Sequence, residues 1–180
     1  MIPSKHRTRI FGTGRYLPER IVTNDELSTL LDTSDEWIQQ RSGIKERRYA
    51  ASHETPTSMA CSAALAAMEM AGVGPKDIDY LICSTQTPEY YAPGTACLIQ
   101  AALGLNPIGA LDIRNQCTGF IYGLSLADAY IQMGTYKKVL LVCPELNSRG
   151  LEFSDRGRQV TVLFGDGAGA VLLGQSEEEE

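Results

Sequence analysis

Cys117 stands between two segments of different character. The apolar run Ile108 to Ile113 reads as a strand, and Thr118 to Met133 reads as a helix. A thiol at such a junction faces unpaired backbone N–H groups and the positive end of the helix dipole, surroundings that favour the thiolate and raise reactivity at neutral pH. The same N–H groups can hold an oxyanion. The chemistry predicted is nucleophilic attack by the Cys117 thiolate. The competing reading is a buried, inert cysteine. That reading suits Cys61, Cys83, Cys97 and Cys143; the junction and the small residues Thr118 and Gly119 set Cys117 apart.

The chain holds two histidines. His6 lies in a polar start and His53 in the loop segment Ser52-His53-Glu54, and both read as surface residues. Folding His53 onto Cys117 is the Cys–His alternative. The five cysteines are odd in number and widely spaced, with no CxxC pair. This argues against a disulfide framework and a zinc site and fits a reducing cytoplasm. No metal or bound cofactor is expected.

Gly165 to Ala170 has the glycine content of a dinucleotide-binding turn but leads into a strand, so the phosphate-cradling geometry is absent. It reads as a structural turn that lets backbone pass closely. Trp37, the single tryptophan, sits on a short helical segment, where such a residue serves as a core anchor more often than as a ligand contact.

The elements that must position these residues alternate. Arg9 to Gly14 reads as a strand. Asn24 to Leu31 reads as a helix capped by Thr23 or Asn24, and Ser34 caps a second helix through Gln40, stopped by Gly43. Thr55, Pro56 and Gly72 bound a helix over Ser58 to Ala71. Tyr80 to Thr85, Ile108 to Ile113 and Lys138 to Cys143 read as strands, with helices over Gly94 to Leu103 and Thr118 to Met133 between them. A last strand covers Ala168 to Leu173. Apolar strands alternating with helices predict a mostly parallel sheet covered on both faces, hence an α/β fold.

With 180 residues and 43% hydrophobic content, the chain suits one domain, over 1–174, followed by an acidic segment at 175–180. Glu177 to Glu180 supply four units of the formal charge of −6, so the body is near −2 and nucleic acid is an unexpected partner. No apolar stretch approaches the roughly 18 residues of a membrane span.

The motif Asn115-Gln116-Cys117-Thr118-Gly119-Phe120 resembles the active-site elbow of the ketoacyl synthase III family. Four other segments are similar to that family in the same order: Gly12 to Pro18, Asp32 to Ile38, Arg41-Ser42-Gly43-Ile44, and Leu163 to Ala170. The resemblance covers nearly the whole chain. It implies a thiolase-like fold, of which this chain supplies one βαβαβ-type half of a layered αβαβα arrangement, and a homodimer.

The resemblance further implies that Trp37 and an arginine sandwich the adenine of coenzyme A, with Thr33 beside them and Arg41 as a phosphate partner. The sandwiching arginine is expected at Arg156, in Asp155-Arg156-Gly157, but Arg158 follows two residues later and the choice stays open. Ala92 stands where short-chain members carry a phenylalanine that closes the acyl pocket across the dimer. Either alanine leaves room for a longer acyl primer, or Tyr90 or Tyr91 fills the gap.

The implied reaction moves an acyl group from coenzyme A to Cys117 and condenses it with malonyl acyl carrier protein. In the family, a histidine and an asparagine of the carboxy-terminal half stabilise the enolate. That half is missing here, so the chain reads as part of a longer or split enzyme, inactive alone, with an apolar face left open. The rivals are acyl transfer to a hydroxyl or amine without condensation, and a non-catalytic dimerisation or carrier-docking subunit.

Overall fold

The computed structural model describes residues 6–176. Strand β1 (Thr8–Tyr16) leads to a hairpin-like pair, β2 (Arg20–Thr23) and β3 (Glu46–Tyr49), with helices α1 (Asn24–Ser28) and α2 (Asp35–Ser42) inserted between them. Then follow α3 (Pro56–Ala71), β4 (Tyr80–Ser84), α4 (Thr95–Ala102), β5 (Gly109–Ile113), α5 (Gly119–Gln132), β6 (Lys138–Leu146), α6 (Arg158–Thr161) and β7 (Asp166–Gln175).

The expected punctuation is in place. Thr23 caps α1, Ser34 caps α2, and Thr55 forms a reciprocal capping box with Ser58 at the start of α3. Gly43 and Gly72 end α2 and α3 at φ 72° and 66°, the left-handed region where glycine carries no steric penalty.

The five-stranded sheet has the order β1-β7-β6-β4-β5. It is mixed, which corrects the expectation of a mostly parallel sheet. β4 pairs parallel with β5 and β6, because α4 and α5 cross over the sheet between them. β7 pairs antiparallel with both β6 and β1, since no helix carries the chain back across the sheet after Leu146, and Asp166 lies opposite that residue.

Both faces of the sheet are covered. On one, α3 and α4 pack Met59, Ala63, Ala67 and Ile99 against Leu81, Leu140 and Leu172. On the other, α5 packs Ala127 and Ile131 against Ile82, Leu141 and Val171. Adjacent residues of β6 serve opposite faces, as strand geometry requires. Gly12 and Gly14 explain one glycine motif: a Cβ there would fall 2.1 and 2.0 Å from the carbonyl oxygens of Ala67 and Ala63, so α3 lies on the backbone of β1. A third apolar cluster, including Val22, Leu27, Ile38 and Val162, binds the hairpin to α1, α2 and α6. The acidic segment lies, from Glu177 onward, outside the described residues.

Candidate active site

Cys117 lies in a short 3-10 turn, Gln116–Thr118, between β5 and α5, and its side chain is exposed. Gln116 has φ 47°, a left-handed backbone in a residue that has a Cβ, so the elbow is a strained position. The first N–H groups of α5 receive no side-chain cap. Thr118 turns its hydroxyl to the Asn115 carbonyl instead, 2.9 Å away, and accepts from Asn115 Nδ2 at 2.8 Å. No side chain caps this helix end, and its first N–H, that of Gly119, donates to the Gln116 carbonyl.

Two glycines set that helix on the sheet. A Cβ on Gly119 would fall 1.9 Å from Ser84 Oγ, and one on Gly123 would fall 2.5 Å from a Leu141 methyl. The opening turn of α5 can therefore rest over the carboxyl ends of the parallel strands, where open α/β sheets bind their ligands.

Around the elbow lies an open cleft of about 370 Å³ lined by Gln86, Thr87, Arg114, Gln116, Leu146 and Asn147, among others. Arg114 Nη2 donates to the Gln86 carbonyl at 3.4 Å, and the Thr85 N–H donates to the Ile113 carbonyl at 3.1 Å. Glu145 accepts from the Gln86 N–H at 2.9 Å and from the Thr87 hydroxyl at 2.8 Å. Burial pushes the Glu145 carboxyl above its ordinary range, against the pull of these bonds. Asn147 links Gln86 to Gly165 through both ends of its amide. Asp166 accepts from the N–H groups of Ala50 and Ser148 and opens β7, so the glycine segment expected as a turn is strand from Asp166 onward.

Trp37 stands in a cationic notch. The Arg41 guanidinium carbon lies 4.1 Å from the ring centre, and that of Arg158 lies 5.0 Å away. Arg158 Nη1 also donates to the Asp32 carbonyl at 2.5 Å. The Thr33 hydroxyl is buried without a partner. Arg156 points elsewhere, pairing with Glu152 at 2.8 Å while its side chain stays 86% exposed. The geometry thus brings together Thr33, Trp37, Arg41 and Arg158, and leaves Arg156 out.

Ala92 is exposed in the loop between β4 and α4. Tyr91, beside it, is 90% exposed with its ring 5.7 Å from the Arg114 guanidinium, so this loop borders the cysteine segment. Tyr90 is exposed too, and neither tyrosine fills a pocket within the chain. His6 bonds to Gln175, at the end of β7 away from the elbow. Neither histidine is hydrogen-bonded to Cys117. No candidate metal cluster occurs among the described residues. Among them, no helix is long and apolar enough to cross a membrane.

Residues 111–180 match the family model for 3-oxoacyl-[acyl-carrier-protein (ACP)] synthase III. The beta-ketoacyl-[acyl-carrier-protein] synthase III of Xanthomonas oryzae is 49% identical over 171 residues, 95% of this chain and 52% of its own length. Over 95% of its length the chain is thus similar to ketoacyl synthase III. It spans about half the length of the curated relatives it matches. The crystal structure of 3-oxoacyl-[acyl-carrier-protein] synthase III from Aquifex aeolicus superposes with a TM-score of 0.91 at 47% identity, covering 95% of this chain and 55% of that one. The priming beta-ketosynthase of the R1128 polyketide pathway gives a TM-score of 0.92 at 36% identity, covering 99% and 53%. The fold is thus the thiolase-type α/β arrangement of ketoacyl synthase III, with its mixed five-stranded sheet.

The sequence singles out neither Gln86, Arg114, Glu145 and Asn147, in and behind this cleft, nor Arg47, buried on β3. The first four lie at strand ends, where their roles depend on which strands are neighbours. Arg47 stands in the charged run Lys45-Glu46-Arg47-Arg48, where nothing in the sequence sets it apart from its neighbours.

Proposed function

We propose that Cys117 accepts an acyl group from an acyl-coenzyme A thioester and delivers it to malonyl acyl carrier protein in a decarboxylative condensation that begins fatty acid or polyketide synthesis. The observation that carries this reading is the exposed thiol on a strained turn at the uncapped start of α5.

In the first step the Cys117 sulfur attacks the thioester carbonyl and its proton passes to the departing coenzyme A thiolate. The oxyanion formed on the way accepts from the Cys117 N–H. In the second step malonyl thioester loses carbon dioxide, its enolate carbon attacks the acyl carbonyl, and the Cys117 sulfur leaves as thiolate. This chain spans about half the length of its relatives, and a histidine and an asparagine that stabilise the enolate are expected in the other half. The whole enzyme works as a homodimer in the cytoplasm.

Thr33, Trp37, Arg41 and Arg158 receive the nucleotide end of coenzyme A, with Trp37 stacking on adenine and Arg158 serving in place of Arg156. Ala92 leaves space at the acyl end for a primer longer than acetyl.

Incubation with acetyl-, butyryl- and octanoyl-coenzyme A, followed by peptide mass spectrometry, tests the reading. One acyl group on the Cys117 peptide is the expected result, with octanoyl accepted. No adduct at Cys117 with any thioester overturns the nucleophile, and transfer of acetyl alone overturns the role of Ala92.

A further inference from the structure

Arg47 is a charged residue in a place that offers it no opposite charge. It lies on β3 opposite Val22 and is 7% exposed. Its guanidinium donates to the Val22 carbonyl at 3.2 Å, to Asn24 Oδ1 at 2.7 Å and to the Val162 carbonyl at 3.1 Å, and Nε has no partner. All three acceptors are neutral oxygens. A buried cation held only by neutral groups is costly, and an apolar residue of similar volume would fill the space at less expense. Burial accordingly lowers its pKa.

The bonds of Arg47 run between two segments distant in sequence. Val162 caps the carboxyl end of α6, the helix that opens with Arg158, and its N–H donates to the Arg158 carbonyl at 3.3 Å. Asn24 opens α1, and its Nδ2 donates to Asp35 Oδ1 at 2.8 Å and to the Ile44 carbonyl at 2.7 Å. Asp35 is the first residue of α2, which carries Trp37, and Ile44 follows that helix. One guanidinium therefore joins the helix of Arg158 to the helix of Trp37 through a buried relay. A second polar tie lies at the surface, where Asp32 meets Arg158 and Asp155, and Ile38 and Val162 share an apolar cluster.

We propose that Arg47 is a positioning residue of the coenzyme A site, fixing through Val162 and Asn24 the spacing between Trp37 and Arg158 that receives the adenine. The role rests on the reading of these two residues as the nucleotide contact. A planar guanidinium suits it because one terminal nitrogen serves Asn24 and Val162 while the other serves Val22, a division that an ammonium group does not reproduce in the same plane.

Trp37, the single tryptophan, is a built-in reporter. Its fluorescence is titrated with coenzyme A in the wild-type chain and in Arg47→Met, Arg47→Lys and Asn24→Ala variants. Saturable quenching is expected in the wild type, with affinity lowered roughly tenfold in Arg47→Met, since a buried charged donor set is lost. Arg47→Lys recovers part of that loss, and Asn24→Ala loses less than Arg47→Met. Labelling of Cys117 by iodoacetamide stays within about twofold throughout, because the thiol lies outside the relay. Wild-type affinity in Arg47→Met overturns the proposal. If coenzyme A leaves the wild-type fluorescence unchanged, the coenzyme A reading falls, and acrylamide quenching then decides on Arg47: unaltered Trp37 accessibility in Arg47→Met overturns its positioning role. If circular dichroism shows that Arg47→Met does not fold, Arg47→Lys and Asn24→Ala decide, and wild-type behaviour in both overturns it.

Discussion

Gly119 rests on Ser84 so closely that a Cβ added to the glycine would fall 1.9 Å from the serine hydroxyl. This contact sets the height of the first turn of α5 over β4, and with it the position of Cys117. Gly119→Ala should destabilise the chain by about 1 to 2 kcal/mol net, an overpacking cost near 2 to 3 kcal/mol less the roughly 1 kcal/mol that alanine gains in helix propensity. Alkylation of Cys117 should slow as the turn is displaced. Adding Ser84→Ala removes the clashing hydroxyl and should restore part of both losses, as read by thermal unfolding and iodoacetamide rates. A Gly119→Ala chain with wild-type melting and labelling would show that the contact does not set the elbow.

Arg158 and Arg156 are two residues apart but should behave differently. Arg158→Ala removes a cation 5.0 Å from the Trp37 ring and should weaken quenching of Trp37 by coenzyme A roughly five- to tenfold. Arg156→Ala breaks only an exposed pair with Glu152 and should leave both coenzyme A affinity and melting temperature unchanged. The reverse pattern would return the nucleotide contact to Arg156.

The Tyr16 phenol donates to Glu54, whose other oxygen accepts from the Ala51 N–H at 2.6 Å. The Tyr16 bond holds the Glu54 carboxyl below its ordinary range, and the same bond raises the phenol. A lowered carboxyl stabilises the fold above the unfolded value, near 4.3, and that contribution disappears as pH falls through the native one. A raised phenol stabilises below roughly pH 10 and loses its contribution as pH rises past the native value. Tyr16→Phe should therefore cost about 1.5 to 3 kcal/mol at pH 7, the range for a bond to a charged group. The gap between wild type and variant should narrow at both acid and alkaline extremes. A gap constant with pH in denaturant titrations would exclude ionised Glu54 as its source.

The five thiols should separate by environment. Cys117 and Cys97 are exposed. Burial pushes Cys61 up to about 11 and Cys143 up to about 12, and raises Cys83 as well. Since the thiolate is the reactive form, iodoacetamide at pH 8 should label Cys117 and Cys97 and spare the other three. Raising the pH should bring in Cys61 before Cys143. Peptide mass spectrometry reads the order, and early label on Cys83 or Cys143 would contradict the packing of the sheet.

Features governed by neighbours in sequence were legible in the sequence, and those governed by neighbours in space were not. The Cys117 elbow follows from a strand, a small-residue turn and a helix in succession. Helix α3 follows from Thr55, Pro56 and Gly72. The direction of β7 depends on which strand receives it, and nothing within Asp166 to Gln175 states that. Strands β2 and β3 are four residues each and far apart, and β3 is mostly charged, so their pairing is what reveals them. That pairing turns Arg47 inward and Arg48 outward, a distinction invisible in a run of four charged residues. Arg156 and Arg158 look equivalent until α6 begins at Arg158 and directs it toward Trp37.

The place of β7 in the sheet also bears on how the chain is made. It is synthesised after the other four strands of this sheet, yet it lies between β6 and β1 and pairs Gln175 with Thr8. A nascent chain on the ribosome has no sheet partner for β1, and an open edge on β6, until residues 166–175 emerge. Such unpaired edges recruit other chains, and so long a closure slows folding. The seating of Gly12 and Gly14 on α3 gives the first strand an early resting place: β1 can dock on the helix while the ribosome completes its partner.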